Sequence, residues 1–181
     1  MLLCAVAILL MGCGNGKETG GDGSGVKPSE NNEGMAAEKP VHAVYVDLGL
    51  PSGTLWKTSN EWNSSDDHGY YTYEAAVRAF GNSFPTKVQL EELNTKCTWT
   101  WSDSKKGYNV KGSNGNSIFL PAAGFRNCDG DVYNVGSLGD YWSSTPRGLE
   151  NAWLLGFFST VVYVGNYNRC YGRSVRLVQA K

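Results

Sequence analysis

Residues 138–178 read LGDYWSSTPRGLENAWLLGFFSTVVYVGNYNRCYGRSVRLV, and two strand-like runs inside them decide the fold. Successive side chains of a strand point to opposite faces. In Asn151–Phe158 this sends Trp153, Leu155 and Phe157 one way and Leu154, Gly156 and Phe158 the other. The next run repeats the pattern, with Val162 and Val164 on one side and Val161 and Tyr163 on the other. A strand with one face in solvent alternates apolar and polar residues. Here both faces are apolar. Either these are central strands buried on both sides, or one face is core and the other is an exposed binding surface.

Downstream, residues 172–178 form a last short apolar strand, expected to pair with the strand at 45–48. Val175 and Leu177 should be buried there, with Ser174 and Arg176 on the opposite face. Upstream lies a Gly/Asn/Asp-rich loop over 125–139, preceded by a buried strand at 117–123 whose Pro121 marks a bulge or an edge. Asn114-Gly115 is a hairpin signal. Residues 99–101 and 108–110 are strand-like and flank a Lys-rich turn.

Two helices come before these strands. Thr72 caps the first, with Ala75, Ala76, Ala79 and Phe80 as its buried stripe, and Gly81 ends it. Thr86 caps the second, with Gln89 completing a capping box and Leu90, Leu93 and Cys97 forming the apolar face. Cys97 reads as a small core residue. A first hairpin, 41–48 and 54–56, turns at Pro51-Ser52-Gly53. Two helices beside a loop-rich set of strands make the fold class α+β. The 23 glycines and 6 tryptophans in 181 residues fit such a loop-rich β fold better than a helical one.

A net charge of -1 with no basic stripe argues against a nucleic-acid partner. Residues 1–11 (MLLCAVAILLM) are apolar throughout but too short to span a bilayer. They lead into Leu10-Met11-Gly12-Cys13, which resembles the lipobox of bacterial lipoproteins. On that resemblance residues 1–12 are a signal peptide and Cys13 is lipidated, so the membrane is engaged through the anchor alone. Residues 13–40 then form a flexible tether too poor in large apolar residues to fold, and 41–181 the folded domain. Gly12, Gly14, Gly16 and Lys17 hint at a phosphate loop, but Glu18 stands where Ser or Thr is required and no strand precedes it.

Cys97, Cys128 and Cys170 remain in the domain. An odd number leaves at least one free thiol, so the domain is expected to rely on its core and not on a disulfide framework. Asp66, Asp67 and His68 are metal-ligand types. No second His or Cys stands at ligand spacing, and the only other histidine is His42, so a solvated loop is expected. Asp129-Gly130-Asp131 is a fragment of a calcium loop without its bidentate Glu. Neither a cofactor nor a metal is expected.

Several stretches carry a family resemblance: VDLGLPSGTLW (46–56), FPTK (84–87), CTW (97–99), SIFLPAAGFR (117–126), YWSST (141–145) and Gly172 followed by SVRLV (174–178). In this order they resemble the Fibrobacter succinogenes major paralogous domain, common in lipoproteins of Gram-negative gut bacteria. The resemblance implies a C-type lectin-like fold, like that of retroelement variable proteins and formylglycine-generating enzymes. In it two helices pack on mixed or antiparallel sheets, the last strand pairs with the first, and a loop-rich half displays the ligand site.

In retroelement variable proteins, template asparagine codons become codons that never encode Lys, Glu, Gln, Met or Trp. The corresponding positions here are Cys128, Asp129, Asp131, Tyr133, Leu138, Asp140, Leu154, Gly156, Phe158, Val161, Tyr163, Gly165, Tyr167, Cys170 and Tyr171, and none is of an excluded type. On this resemblance the residues from Tyr133 to Tyr171 in that series form an outward ligand-binding face. The implied function is an outer-membrane or surface lipoprotein that binds a protein, phage or glycan ligand without catalysis. The competing readings are a non-diversified adhesive surface protein and a formylglycine-generating-like enzyme using Cys128 and Cys170.

Overall fold

The computed structural model describes residues 44–181. The expected signal segment, Cys13, the tether and His42 lie outside the described residues.

Strands β1 (Tyr45–Asp47) and β2 (Thr54–Lys57) form the expected antiparallel hairpin, with Val46 opposite Trp56. Its turn closes through Gly53 N–H donating to Leu50 O at 2.9 Å, and Gly53 takes a φ of 71° that residues with a Cβ rarely adopt. Helix α1 (Tyr73–Phe80) starts where Thr72 Oγ1 accepts from Ala75 N–H and stops at Gly81. Its buried residues are Tyr73 and Ala76, with Phe80 half-buried. Ala79, expected in the buried stripe, is exposed because it falls about a quarter of a turn away from the line through Tyr73, Ala76 and Phe80. Helix α2 (Lys87–Lys96) carries the full capping box of Thr86 and Gln89, and buries Leu90 and Leu93. Cys97, just past its end, is half-buried against the core.

Strands β3 (Thr98–Ser102), β4 (Gly107–Lys111) and β5 (Ser117–Pro121) make one antiparallel sheet with β4 in the centre. Pro121 ends an edge strand, where its missing N–H costs no central ladder bond. The 125–139 region holds a two-residue ladder, β6 (Phe125–Arg126) with β7 (Val132–Tyr133). Strands β8 (Gly139–Arg147), β9 (Asn151–Phe158) and β10 (Val161–Asn168) form the largest antiparallel sheet, with β9 central.

The last strand, β11 (Val178–Ala180), pairs with β2 and not with β1 as expected. β2 is therefore the middle of its sheet, with Trp56 opposite Val46 on one side and Val178 on the other. Lys57 N–H donating to Leu177 O and Glu61 N–H donating to Val175 O carry this contact upstream of the strand. With β1 on one edge of β2, the chain's end fills the other. Ser174 and Arg176, expected on the face opposite Val175 and Leu177, are as buried as those two.

The β8–β9–β10 sheet separates two clusters. Tyr141, Leu155 and Phe157 join Trp56, Leu90, Leu93, Tyr108, Val110, Ile118 and Leu120 on one face. Trp142, Ala152 and Leu154 join Tyr73, Ala76, Phe84, Val175 and Leu177 on the other. Arg176 ties the sheets together from within. Its Nη1 donates to Lys57 O, Nη2 to Phe119 O and Nε to Asn60 Oδ1, each at 2.9 Å. Asn60 Nδ2 in turn donates to Tyr141 Oη, which donates to Pro121 O.

Arg176→Met keeps much of the volume but strips three partly buried acceptors of their donor. We expect a loss of about 3 kcal/mol of unfolding free energy, since each unsatisfied buried group costs roughly 1–3 kcal/mol. Denaturant titration measures it; a midpoint equal to that of the unsubstituted protein would mean that the guanidinium does not hold the sheets together.

Candidate ligand-binding site

The second face of the β8–β10 sheet is only partly covered. Asp140, Gly156 and Tyr163 lie side by side across it, as do Trp142, Leu154 and Gly165, and Phe158 faces Val161. At one end α1 packs on it, with the Tyr73 and Trp142 rings 6.0 Å apart in an edge contact. Towards the other end no helix of the described residues lies on it, and a pocket of about 230 Å³ opens.

Tyr163 and Tyr167 line this pocket from β10, Phe158 from the end of β9, and Leu138 and Asp140 from the entry to β8. Tyr171 and Arg173 reach it from the segment after β10, and Phe125 and Asn134 from the β6–β7 region. The far end of Tyr163 lies against Gly156: a Cβ built at Gly156 would stand 2.4 Å from Tyr163 Cζ. Burial raises the Tyr163 phenol above its usual range, with Tyr167 adding to the effect.

At the inner end sits a buried ion pair. Arg173 Nη1 contacts Asp140 Oδ2, and the two side chains are 1% and 3% exposed. Four rings surround the guanidinium: Tyr167 at 4.7 Å, Trp142 at 5.0 Å, and Phe125 and Tyr171 at 5.2 Å each. Burial pulls Arg173 down to about 9, which still leaves it cationic at neutral pH. Asp140 Oδ1 and Arg173 Nε have no hydrogen-bond partner among the described residues, and Arg173 Nη1 has none besides its ion-pair contact with Asp140.

The rim is fixed covalently. Cys128 and Cys170 form a disulfide with their Cα atoms 5.2 Å apart, which ties the β6–β7 loop to the segment after β10. The expectation of a domain without a disulfide is thereby corrected. Of the three cysteines among the described residues one is left free, Cys97, whose thiol burial pushes up to about 11. Bonded to each other, Cys128 and Cys170 present no thiolate nucleophile. Arg169, the base beside Cys170, is engaged elsewhere. It donates to Asn151 O and Gly148 O and stacks 4.7 Å from the Tyr73 ring.

Of the residues expected on the face, Leu138, Asp140, Phe158, Tyr163, Tyr167 and Tyr171 converge on the pocket. Gly156 and Gly165 lie beneath Tyr163. Tyr133, Val161 and Cys170 are exposed outside the lining. Leu154 is not on an outward face: it is fully buried because α1 covers that end of the sheet. Leu138, Asp140 and Gly156 are also buried, at the pocket's inner side. Sequence reasoning missed Arg173, Phe125 and Asn134. The signal for Arg173 was a charge in a segment otherwise committed to the core, which demands a partner.

Asp66, Asp67 and His68 do cluster. Their carboxylates are already occupied by a protein cation, since Arg126 Nε donates to Asp66 Oδ2 at 2.7 Å and its Nη2 contacts Asp67. Burial, the largest single effect, pushes Asp66 up, but the hydrogen bond from Arg126, those from the His68 and Tyr70 N–H groups and the Arg126 charge together hold it below its ordinary range.

Residues 84–178 match a family described as a domain of unknown function (DUF8237), and the chain belongs to that family. The matched span contains α2 and every pocket residue. No curated protein and no solved structure matches the chain.

The two ends of the second sheet face should separate in a thermal melt. Leu154→Ala is expected to cost about 2–5 kcal/mol, as for other buried leucines. Tyr167→Ser, at a half-exposed position, removes one ring from the buried Arg173 guanidinium and should cost about 1 kcal/mol, well below the leucine. Equal losses would mean that the pocket end is as much core as the helix-covered end.

Proposed function

We propose that this member of a family of unknown function is a lipid-anchored outer-membrane or surface protein that binds a macromolecular or glycan ligand through the pocket face, without catalysis. One observation carries the reading: an aromatic-walled pocket lies open on a sheet face whose other end is covered by α1. Tyr and Phe give large contact area at low conformational-entropy cost, which suits recognition. An exposed apolar patch of this kind is seldom left unused on a soluble domain. The lipobox-like run ending at Cys13 supports the anchor, and among the described residues no helix is long and apolar enough to cross a membrane.

Two helices packed on antiparallel sheets, with a loop-rich half carrying the pocket, support the C-type lectin-like reading. Pairing of the last strand with β2 departs from the form in which the last strand meets the first. Diversification by a retroelement fits the rim positions Tyr133, Phe158, Val161, Tyr163, Tyr167 and Tyr171. It fits Leu154 poorly, since free substitution there would strike the core. A near-identical repeat in the neighbouring DNA, differing only at template adenines beside a reverse transcriptase gene, would establish diversification; its absence would leave a fixed binding face.

The binding reading is tested by capture of bacterial surfaces, phage and purified surface polysaccharides on the immobilised full chain. Tyr163→Ser and Tyr167→Ser should each weaken capture by about 2 kcal/mol, or about 30-fold, if they are hot spots. Capture that is unchanged in both variants, or absent with every surface, overturns the assignment.

A further inference from the structure

We infer that the group held in this pocket is an uncharged, hydroxyl-bearing ring, a pyranose at the end of a glycan. The inference rests on the binding reading above and narrows it by the chemistry of the pocket's inner end.

Size comes first. A volume of about 230 Å³ is below the roughly 300–1,000 Å³ of sites that enclose drug-sized ligands. It admits one ring or one side chain, not an extended oligomer. The walls are flat: Tyr163 and Tyr167 on one strand, with Tyr171, Phe158 and Phe125 around them. Such walls favour a ligand with an apolar face.

The inner end then discriminates by charge. Asp140 and Arg173 form a pair with no net charge, buried and beside the cavity. An ammonium group entering here meets Arg173 as well as Asp140, and a carboxylate meets Asp140 as well as Arg173, so the attraction is offset and the desolvation of the entering charge is not repaid. In a site of low dielectric, either like-charge contact is costly. A wholly apolar ligand avoids that cost but leaves Asp140 Oδ1 and Arg173 Nε without partners, as they are within the protein. A hydroxyl is the group that answers both, because it donates to a carboxylate and accepts from a guanidinium. Neighbouring hydroxyls on a ring with an apolar face combine the two requirements. The same pairing removes the need for a cation: the lone pocket carboxylate among the described residues is already neutralised by Arg173 and offers no donor set for a divalent ion.

The test is saturation-transfer NMR on the full chain in the presence of a chelator. The probes are methyl glycosides of neutral hexoses and N-acetylhexosamines, a protonated amino sugar, a uronate and a short lysine peptide. We expect transfer to the ring C–H protons of at least one neutral glycoside and none to the charged probes. Its Kd should rise at least 10-fold in both Tyr163→Ala and Tyr167→Ala. Transfer only to the lysine peptide, transfer that needs calcium, or sugar binding indifferent to both substitutions overturns the inference. Failure of every glycoside while the chain still captures a surface, with capture lost in the two tyrosine variants, overturns the sugar and leaves the binding face standing. Failure of every glycoside together with failure of capture removes both.

Discussion

A strand that is apolar on both faces needs cover on both, and β9 imposes that condition on everything around it. Leu155 and Phe157 require one cover and Ala152 and Leu154 require another. The first is met by the β1–β2–β11 and β3–β4–β5 sheets with α2. The second is met by α1 and the final segment around Val175 and Leu177. Burying a leucine or phenylalanine side chain is worth about 1.5–3 kcal/mol, so leaving either side of β9 uncovered would cost a large part of a domain's net stability. The pocket is what remains of the second face beyond the reach of α1.

Two arginines three residues apart show how differently a buried cation can be accommodated. Arg176 spreads its donors over two backbone carbonyls and one side-chain amide. The planar fork suits this, and a lysine could not reach three such acceptors at once. Arg173 instead takes one carboxylate and a surround of aromatic faces. Cation–π contacts are strongest when desolvated, and each ring that stacks on the guanidinium is held in place by it. Arg176 thus joins sheets, whereas Arg173 fixes the orientation of side chains that form a pocket wall.

Much of this was legible locally. The caps at Thr72 and Thr86, the turn at Gly53, the Asn114-Gly115 connection and the period-two runs of β9 and β10 are short-range signals, and local physics determines them. The partner of the last strand was not legible, because β1 and β2 offer similar edges and only the three-dimensional arrangement leaves one of them free. Nor was the disulfide, since three cysteines permit three pairings and spacing does not choose among them. The fate of the second face of β9 was half legible. Leu154 and Phe158 occupy equivalent positions in the alternation, yet one is fully buried and the other 40% exposed. The difference is set by how far a helix some seventy residues upstream extends over the sheet, which no pattern within the strand encodes. The pocket's aromatic wall was visible in the alternation, whereas its charged inner end depends on a contact between Asp140 and Arg173 across two segments.

Gly156 gives the pocket an adjustable depth. Its missing side chain is what lets the Tyr163 ring rest on the sheet. Any Cβ at that position would push aside the far end of a flexible side chain on an edge strand and would leave the backbone and the first hydrophobic cluster untouched. The cavity could therefore be reshaped by a residue that lies beneath its wall, at little cost to the fold. Ligand preference could drift in such a protein while every residue in direct contact with the ligand stayed the same.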